Sequence, residues 1–184
     1  MIFRAITKKR KSIFLLLSVI LLLLSSCASK KDFDEIYTRG GFSAEICWTL
    51  DGREYSAKLV AGAPRENGEE RDLTFEFIVP ERLRGLTVTR KDGKLSLGRD
   101  DMTAELHNQA ILKAANLLCA DGNFSYKART ELGGRKTVTV TRLNGNERSD
   151  IWLDAESRAP VRIIGEGYDI SVVWFEFSSL EATE

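Results

Sequence analysis

Strict alternation of apolar and polar residues is the feature that most limits what this chain can fold into. The first alternating run places five apolar residues on one side of an extended strand: Phe42, Ala44, Ile46, Trp48 and Leu50. Successive side chains of a strand point to opposite faces, so this period predicts a strand with one buried face. Asp51-Gly52 follows, and this dipeptide favours the positive φ angles of a tight hairpin turn.

The same pattern recurs along most of the chain and predicts roughly ten antiparallel strands. The runs lie at 42–50, 55–61, 73–79, 86–89, 94–97, 102–106, 124–130, 137–143, 151–153, 161–164 and 168–177. A sheet of so many strands tends to curl or to close on itself. The sequence therefore predicts a mainly β, α+β fold built on a strongly curved antiparallel sheet, or half-barrel. In the last run, Ile170, Val172 and Trp174 are expected to share one face.

One segment has a helical period instead. Apolar residues between Gln109 and Cys119 recur at Ile111, Leu112, Ala114, Ala115, Leu117 and Leu118. Asn108 can cap the start of this helix, and Gly122 can end it. The wide apolar face of this one inserted helix should pack against another apolar surface.

The first 26 residues have the composition of a signal peptide. Lys8-Lys9-Arg10-Lys11 is a basic start, and an uncharged apolar run of twelve residues follows at Ile13–Leu24. A membrane-spanning helix needs about 20 such residues, so this run has the length of a signal-peptide core.

Leu24-Ser25-Ser26-Cys27 comes directly after this run. The tetrapeptide resembles the lipobox of bacterial lipoproteins, in which an apolar residue and two small residues precede a lipidated Cys. The resemblance implies cleavage before Cys27, a diacylglycerol on its sulfur and, in many species, an acyl chain on its nitrogen. Two or three chains hold a protein stably on a bilayer, here on the extracytoplasmic face of the cell membrane or the outer membrane. The alternatives are an ordinary secretory signal with an incidental Cys, or an uncleaved anchor.

The predicted organisation has three parts: a signal peptide at 1–26, the lipidated Cys and a tether at 27–37, and one sheet domain at 38–184. The signal peptide holds five of the 27 basic residues and no acidic residue; 22 basic residues then remain against 27 acidic ones, a formal charge of −5. Because binding to phosphate backbones needs a basic surface, nucleic acid is not an expected partner.

No set of residues predicts catalysis or a metal site. His107 is the only histidine, which excludes a multi-histidine centre within the chain. A serine nucleophile without a base is inert, so no enzymatic activity is expected, and no cofactor beyond the lipid on Cys27. Cys47 and Cys119 could form a disulfide in an extracytoplasmic protein, although two separate thiols are the default expectation.

Three local matches indicate a family resemblance. They are Phe75–Leu86 with its Pro80, Leu153-Asp154 followed by Pro160-Val161, and the closing strand from Tyr168 to Phe177. Together with a meandering sheet and an inserted helix, they resemble the LolA/LolB-like superfamily, which includes the LppX/LprG and RseB types. The helix that precedes the first strand in that superfamily is absent here or reduced to Phe33–Tyr37.

The resemblance implies that the protein binds or carries a hydrophobic ligand, such as a lipid or an acyl chain. The residues expected to line the ligand cavity are Trp48, Phe75, Phe77, Leu106, Ile111, Leu118 and Trp174. Burial of apolar surface would supply the affinity, at about 25 cal/mol per Å². The same residues could instead fill the protein's own core. In that case the module would act as an envelope interaction or sensor protein, with an envelope protein as its partner and no ligand.

The lipobox predicts that Cys27 is the site of acylation. In cells fed a clickable palmitate analogue, the wild-type protein should be labelled and the Cys27→Ser variant should not. Label that persists in Cys27→Ser, or a mature N-terminus at another residue, would contradict the lipoprotein assignment.

Overall fold

In the part of the chain that the structure describes, eleven strands, all paired antiparallel, lie in one sheet. The structure is a computed structural model and describes residues 40–65, 70–107, 109–119 and 122–178, with the backbone alone at 109 and 110. Its strands are β1 (Phe42–Leu50), β2 (Arg53–Ala61), β3 (Leu73–Val79), β4 (Thr87–Lys91), β5 (Lys94–Arg99), β6 (Met102–Glu105), β7 (Asn123–Leu132), β8 (Arg135–Asn144), β9 (Glu147–Asp154), β10 (Pro160–Gly165) and β11 (Tyr168–Phe177). Helix α1 (Lys113–Cys119) lies between β6 and β7.

The order of the strands makes two meanders that meet in the middle. The sheet reads β6-β5-β4-β3-β2-β1-β11-β10-β9-β8-β7, so the first and last strands are neighbours. Strands β2 to β6 form one wing and β7 to β10 the other, and the sheet stays open between β6 and β7 within the described residues. The predicted mainly β fold with a curved antiparallel sheet and one inserted helix is confirmed, with eleven strands in place of about ten.

The hairpin turns follow the predicted dipeptides. Asp51-Gly52 has φ angles of 51° and 72°, and Asp92-Gly93 has 51° and 73°. These left-handed values suit Asp and Gly, because a short polar side chain or no side chain avoids the steric penalty there.

One face of the sheet carries most of the apolar core, and we call it the inner face. Phe42, Ala44, Ile46 and Trp48 of β1 are buried there, while the residues between them are half-buried on the opposite, outer face. The paired strands continue the same face: Ala57 and Leu59 on β2, Phe75 and Phe77 on β3, Ile163 on β10 and Ile170 on β11.

A β-bulge changes which residues of β11 face inward. Glu45 is opposite Trp174, but the next residue, Ile46, is opposite Val172, so Val173 is an extra residue in β11. Beyond the bulge Phe175 lies opposite Ala44, on the inner face, and its ring stacks on Phe42 with the centroids 4.8 Å apart. The prediction that Trp174 shares a face with Ile170 is therefore wrong, because one inserted residue reverses the alternation that follows it.

The inserted helix is shorter than its sequence period suggests. Residues Gln109–Leu112 form a 3₁₀ turn, and the α-helix occupies only Lys113–Cys119. Gly122 follows it, where an added Cβ would lie 2.7 Å from the Leu143 carbonyl oxygen and 2.8 Å from Cγ of Arg142. A glycine is needed there because the chain passes close to β8.

Several predicted features lie outside the described residues. These are the signal peptide, Cys27 and the tether, the reduced helix at Phe33–Tyr37 and the cap at Asn108. In the part of the chain that the structure describes, no helix is long and apolar enough to cross a membrane.

Gly165 of β10 tests how tightly this sheet is packed. A Cβ at this position would lie 2.7 Å from Cβ of Ser149, so Gly165→Ala should lower the free energy of unfolding by about 1–3 kcal/mol. Gly98 of β5 is a matched control, because its nearest neighbour would be 3.7 Å away. Urea denaturation should show a loss for Gly165→Ala and none for Gly98→Ala; equal stabilities would contradict the register of β9 and β10.

Candidate hydrophobic binding face

A continuous apolar row crosses seven strands of the inner face. The strand register places its members side by side, in the order Tyr55, Trp48, Ile170, Ile163, Ile151, Val140 and Tyr126. The three isoleucines are fully buried, whereas Tyr55 is half-buried and Tyr126 exposed at the two ends. The row joins both wings into one apolar surface with an aromatic residue at each end.

Aromatic rings cluster at one end of this row. The Trp48 ring stacks on Tyr55 with the centroids 5.4 Å apart, and it lies 5.8 Å from Phe75 and 6.3 Å from Phe77. Phe75 and Phe77 meet edge to face at 5.0 Å. Rings in contact bury large apolar areas, so this aromatic cluster contributes much of the buried apolar area at this end of the row.

Helix α1 packs on the inner face through its apolar side. Five of its seven residues are buried: Ala114, Ala115, Leu117, Leu118 and Cys119. Leu112, just before the helix, is fully buried as well. The expectation that this short helix packs against an apolar surface is confirmed.

A buried arginine ties α1 to the first wing. Arg90 of β4 is 3% exposed, and its Nη1 donates to Oδ1 of Asn116 at 3.1 Å and to Oε2 of Glu70 at 2.8 Å. Its Nε donates to the carbonyl of Arg71 at 2.9 Å. These acceptors satisfy a charged group that would be expensive to bury alone.

A second buried arginine ties the same helix to the other wing. Arg142 of β8 is also 3% exposed, and its Nη1 donates to the backbone carbonyl of Leu117 at 2.8 Å. That carbonyl belongs to the last turn of α1, where carbonyls have no partner within the helix and a cation is favourable. Helix α1 is thus held across the inner face by one arginine from each wing.

A carboxylic acid lies near the start of α1. Glu166 is in the turn between β10 and β11, with φ at 50°. Burial raises the pKa of Glu166, and its hydrogen bond with Glu147 raises it further, while Lys113 and Arg142 act in the opposite direction. Glu166 and Glu147 thus form an exposed carboxyl pair within reach of the charges of Lys113 and Arg142.

Six of the seven predicted cavity residues lie on the inner face or near its helix, and one lies elsewhere. Trp48, Phe75, Phe77 and Leu118 are buried on the inner face or against it, and Leu106 and Ile111 are half-buried near the helix. Trp174 does not join them, because the bulge turns it to the outer face. That the six residues on or near the inner face line a ligand cavity stays a prediction.

Sequence reasoning missed Tyr55 and the two arginines that hold the helix. The signal was present: Arg90 follows Val88 by two residues, and Arg142 follows Val140 by two, so each takes an apolar position of an alternating strand. A charge at such a position indicates a buried partner across the fold.

The two cysteines and the histidine considered as reactive groups do not come together at one site. Cys47 lies on the outer face of β1 and Cys119 on the helix of the inner face, so the sheet separates them and no disulfide joins them. His107 is exposed between β6 and the 3₁₀ turn. Among the described residues, no group of three or more His, Cys, Asp or Glu side chains is close enough to hold a metal ion.

Similar folds occur among solved structures. An uncharacterized conserved protein from Thermus thermophilus has a TM-score of 0.51 at 14% identity, over 81% of this chain and 85% of its own. The MucA/MucB complex of Pseudomonas aeruginosa has a TM-score of 0.46 at 13% identity, over 82% of this chain and 56% of its own. A LolA superfamily protein from Nitrosomonas europaea has a TM-score of 0.41 at 10% identity, over 80% of this chain and 90% of its own. The first likeness shows a shared fold. No family model and no curated protein matches the sequence.

Arg142 provides a test of how α1 is held. Arg142→Met keeps an apolar stem but leaves the Leu117 carbonyl without its charged donor, which should cost about 1–3 kcal/mol of stability. Amide hydrogens of residues 113–119 should then exchange faster with solvent. Arg148→Met is the control, because Arg148 is an exposed arginine on the neighbouring strand. Unchanged exchange in the helix would show that Arg142 does not hold it.

Proposed function

We propose that this protein is a lipid-anchored protein of the cell envelope that binds an acyl chain or a similar hydrophobic ligand and carries out no covalent chemistry. The predicted acylation of Cys27 would keep it at a bilayer. The inner face would hold the ligand, with the aromatic cluster of Trp48, Tyr55, Phe75 and Phe77 as its main contact surface.

The observation that carries this proposal is the way α1 packs on the inner face. A helix of only seven residues packs on an apolar surface that spans seven strands, and one arginine from each wing contacts that helix. Hydrogen bonds of this kind contribute about 1.5–3 kcal/mol each when one partner is charged. Moving the helix breaks these two contacts and exposes its buried apolar side, so the inner face would open only when something else takes the place of the helix.

A bound acyl chain would compensate for that opening. Each methylene group moved from water into an apolar site contributes about 0.8 kcal/mol. About four to eight methylene groups on the aromatic cluster would thus offset the loss of both arginine contacts. Release would need only the return of α1, which fits a protein that holds a ligand and passes it on.

Trp48→Glu tests the proposal directly, with a fluorescent fatty acid as the probe. Loss of the indole ring and the presence of a charge should weaken probe binding by about tenfold or more, since a Trp buries about 150–250 Å². Circular dichroism should show that the fold largely survives, because a residue that lines a ligand site can reach solvent.

Trp174→Glu is the matched control, because it makes the same change on the outer face and should leave probe binding as in the wild type. Complete unfolding of Trp48→Glu would place Trp48 in a solid core and contradict the proposal. Equal probe binding by the two variants would also contradict it.

A further inference from the structure

The outer face carries an exposed apolar pair that has no part in the ligand site proposed on the inner face. The bulge in β11 turns Val173 and Trp174, two successive residues, to the same outer side, where they are 60% and 49% exposed. Val60 of β2 lies on the same face and is 52% exposed. Bulges can serve to re-aim a side chain, and tryptophan is enriched among the residues that contribute most to binding at interfaces.

Acidic residues surround this apolar pair. Glu45 lies directly opposite Trp174 in the register, and Glu176 is the next outer-facing residue along β11. Across β1 and β2 the same row continues through Lys58 to Glu76. The patch thus has three carboxylates and one ammonium group around its apolar centre, and it is negative.

The Cys47 thiol, on the outer face of the same strand as Glu45, responds to this charge. Burial raises the pKa of the Cys47 thiol, and the carboxylates of Glu45 and Glu54 raise it further. The two carboxylates therefore act in the same direction on a neighbouring group, as a negative field over this part of the outer face would.

We propose that Val173, Trp174, Val60 and the carboxylates of Glu45, Glu76 and Glu176 form a docking surface for a basic amphipathic segment of another protein. An apolar side chain of that segment packs on Trp174, and its Lys or Arg residues lie against the three carboxylates. Aromatic anchors surrounded by charge of one sign give an interface both its affinity and its choice of partner.

The charge of the patch distinguishes this partner from two others. An anionic lipid surface attracts basic residues and is repelled by a patch with excess carboxylate. A second copy of the chain in a twofold dimer would bring the same carboxylates together, since such an interface uses one patch twice. A basic protein segment meets neither repulsion.

The test uses the mature protein in nanodiscs of zwitterionic lipid and a fluorescein-labelled peptide of alternating Lys and Leu. Fluorescence anisotropy should show binding that weakens as salt is added. Trp174→Ser should weaken peptide binding by about tenfold or more. Glu176→Lys should also weaken peptide binding, through the change of charge, because it leaves Val173 and Trp174 unchanged. Ile164→Ser is the control, because Ile164 is an outer-face apolar residue, 37% exposed, that lies opposite Asp169, five residues along β11 from Trp174.

Four results would overturn the proposal. One is equal peptide binding by the wild type and Trp174→Ser, and another is equal binding of a matched Glu and Leu peptide. The third is a dimer in sedimentation that Trp174→Ser removes, because another copy of the chain would then be the occupant. The fourth is quenching of Trp174 fluorescence by brominated anionic lipid, because the membrane would then be the occupant. Fatty-acid binding should be the same in the wild type and in Trp174→Ser. Failure of the docking proposal can therefore be distinguished from failure of the proposed ligand site.

Discussion

The pairing of β1 with β11 is the interaction on which the rest of the structure depends. It joins residues from the two ends of the described chain, Phe42 with Phe177 and Trp48 with Ile170. Without it, β2 to β6 and β7 to β10 would be separate meanders, and the apolar row of the inner face would be cut at Trp48. The pairing also brings the two wings within reach of one short helix, which Arg90 and Arg142 then hold.

The same pairing gives the two faces of the sheet different characters. Its bulge turns Phe175 and Phe177 inward, where they extend the apolar core, and turns Val173 and Trp174 outward among carboxylates. The inner face thus offers apolar contact under a helix, and the outer face offers an aromatic residue in a negative field. The proposed ligand site and the proposed docking surface lie on opposite sides of a single pair of strands.

Much of the fold could be predicted because its signals are local. Alternation located the strands, and Asp51-Gly52 and Asp92-Gly93 located hairpin turns with the required φ angles. The face of Trp174 could not be predicted, because the bulge depends on the register against β1, more than a hundred residues away in the sequence. The roles of Arg90 and Arg142 were equally hidden, since their acceptors at Asn116 and Leu117 belong to a helix whose position only the assembled sheet determines.

The central claim, that the inner face holds a hydrophobic ligand, is tested most directly by native mass spectrometry of the mature protein purified from its own envelope. The account predicts a species heavier than the acylated chain by the mass of one lipid or fatty acid. That extra mass should leave at high collision energy while the covalent lipid on Cys27 remains. A single species with the mass of the acylated chain alone, unchanged after incubation with fatty acid, would contradict the account.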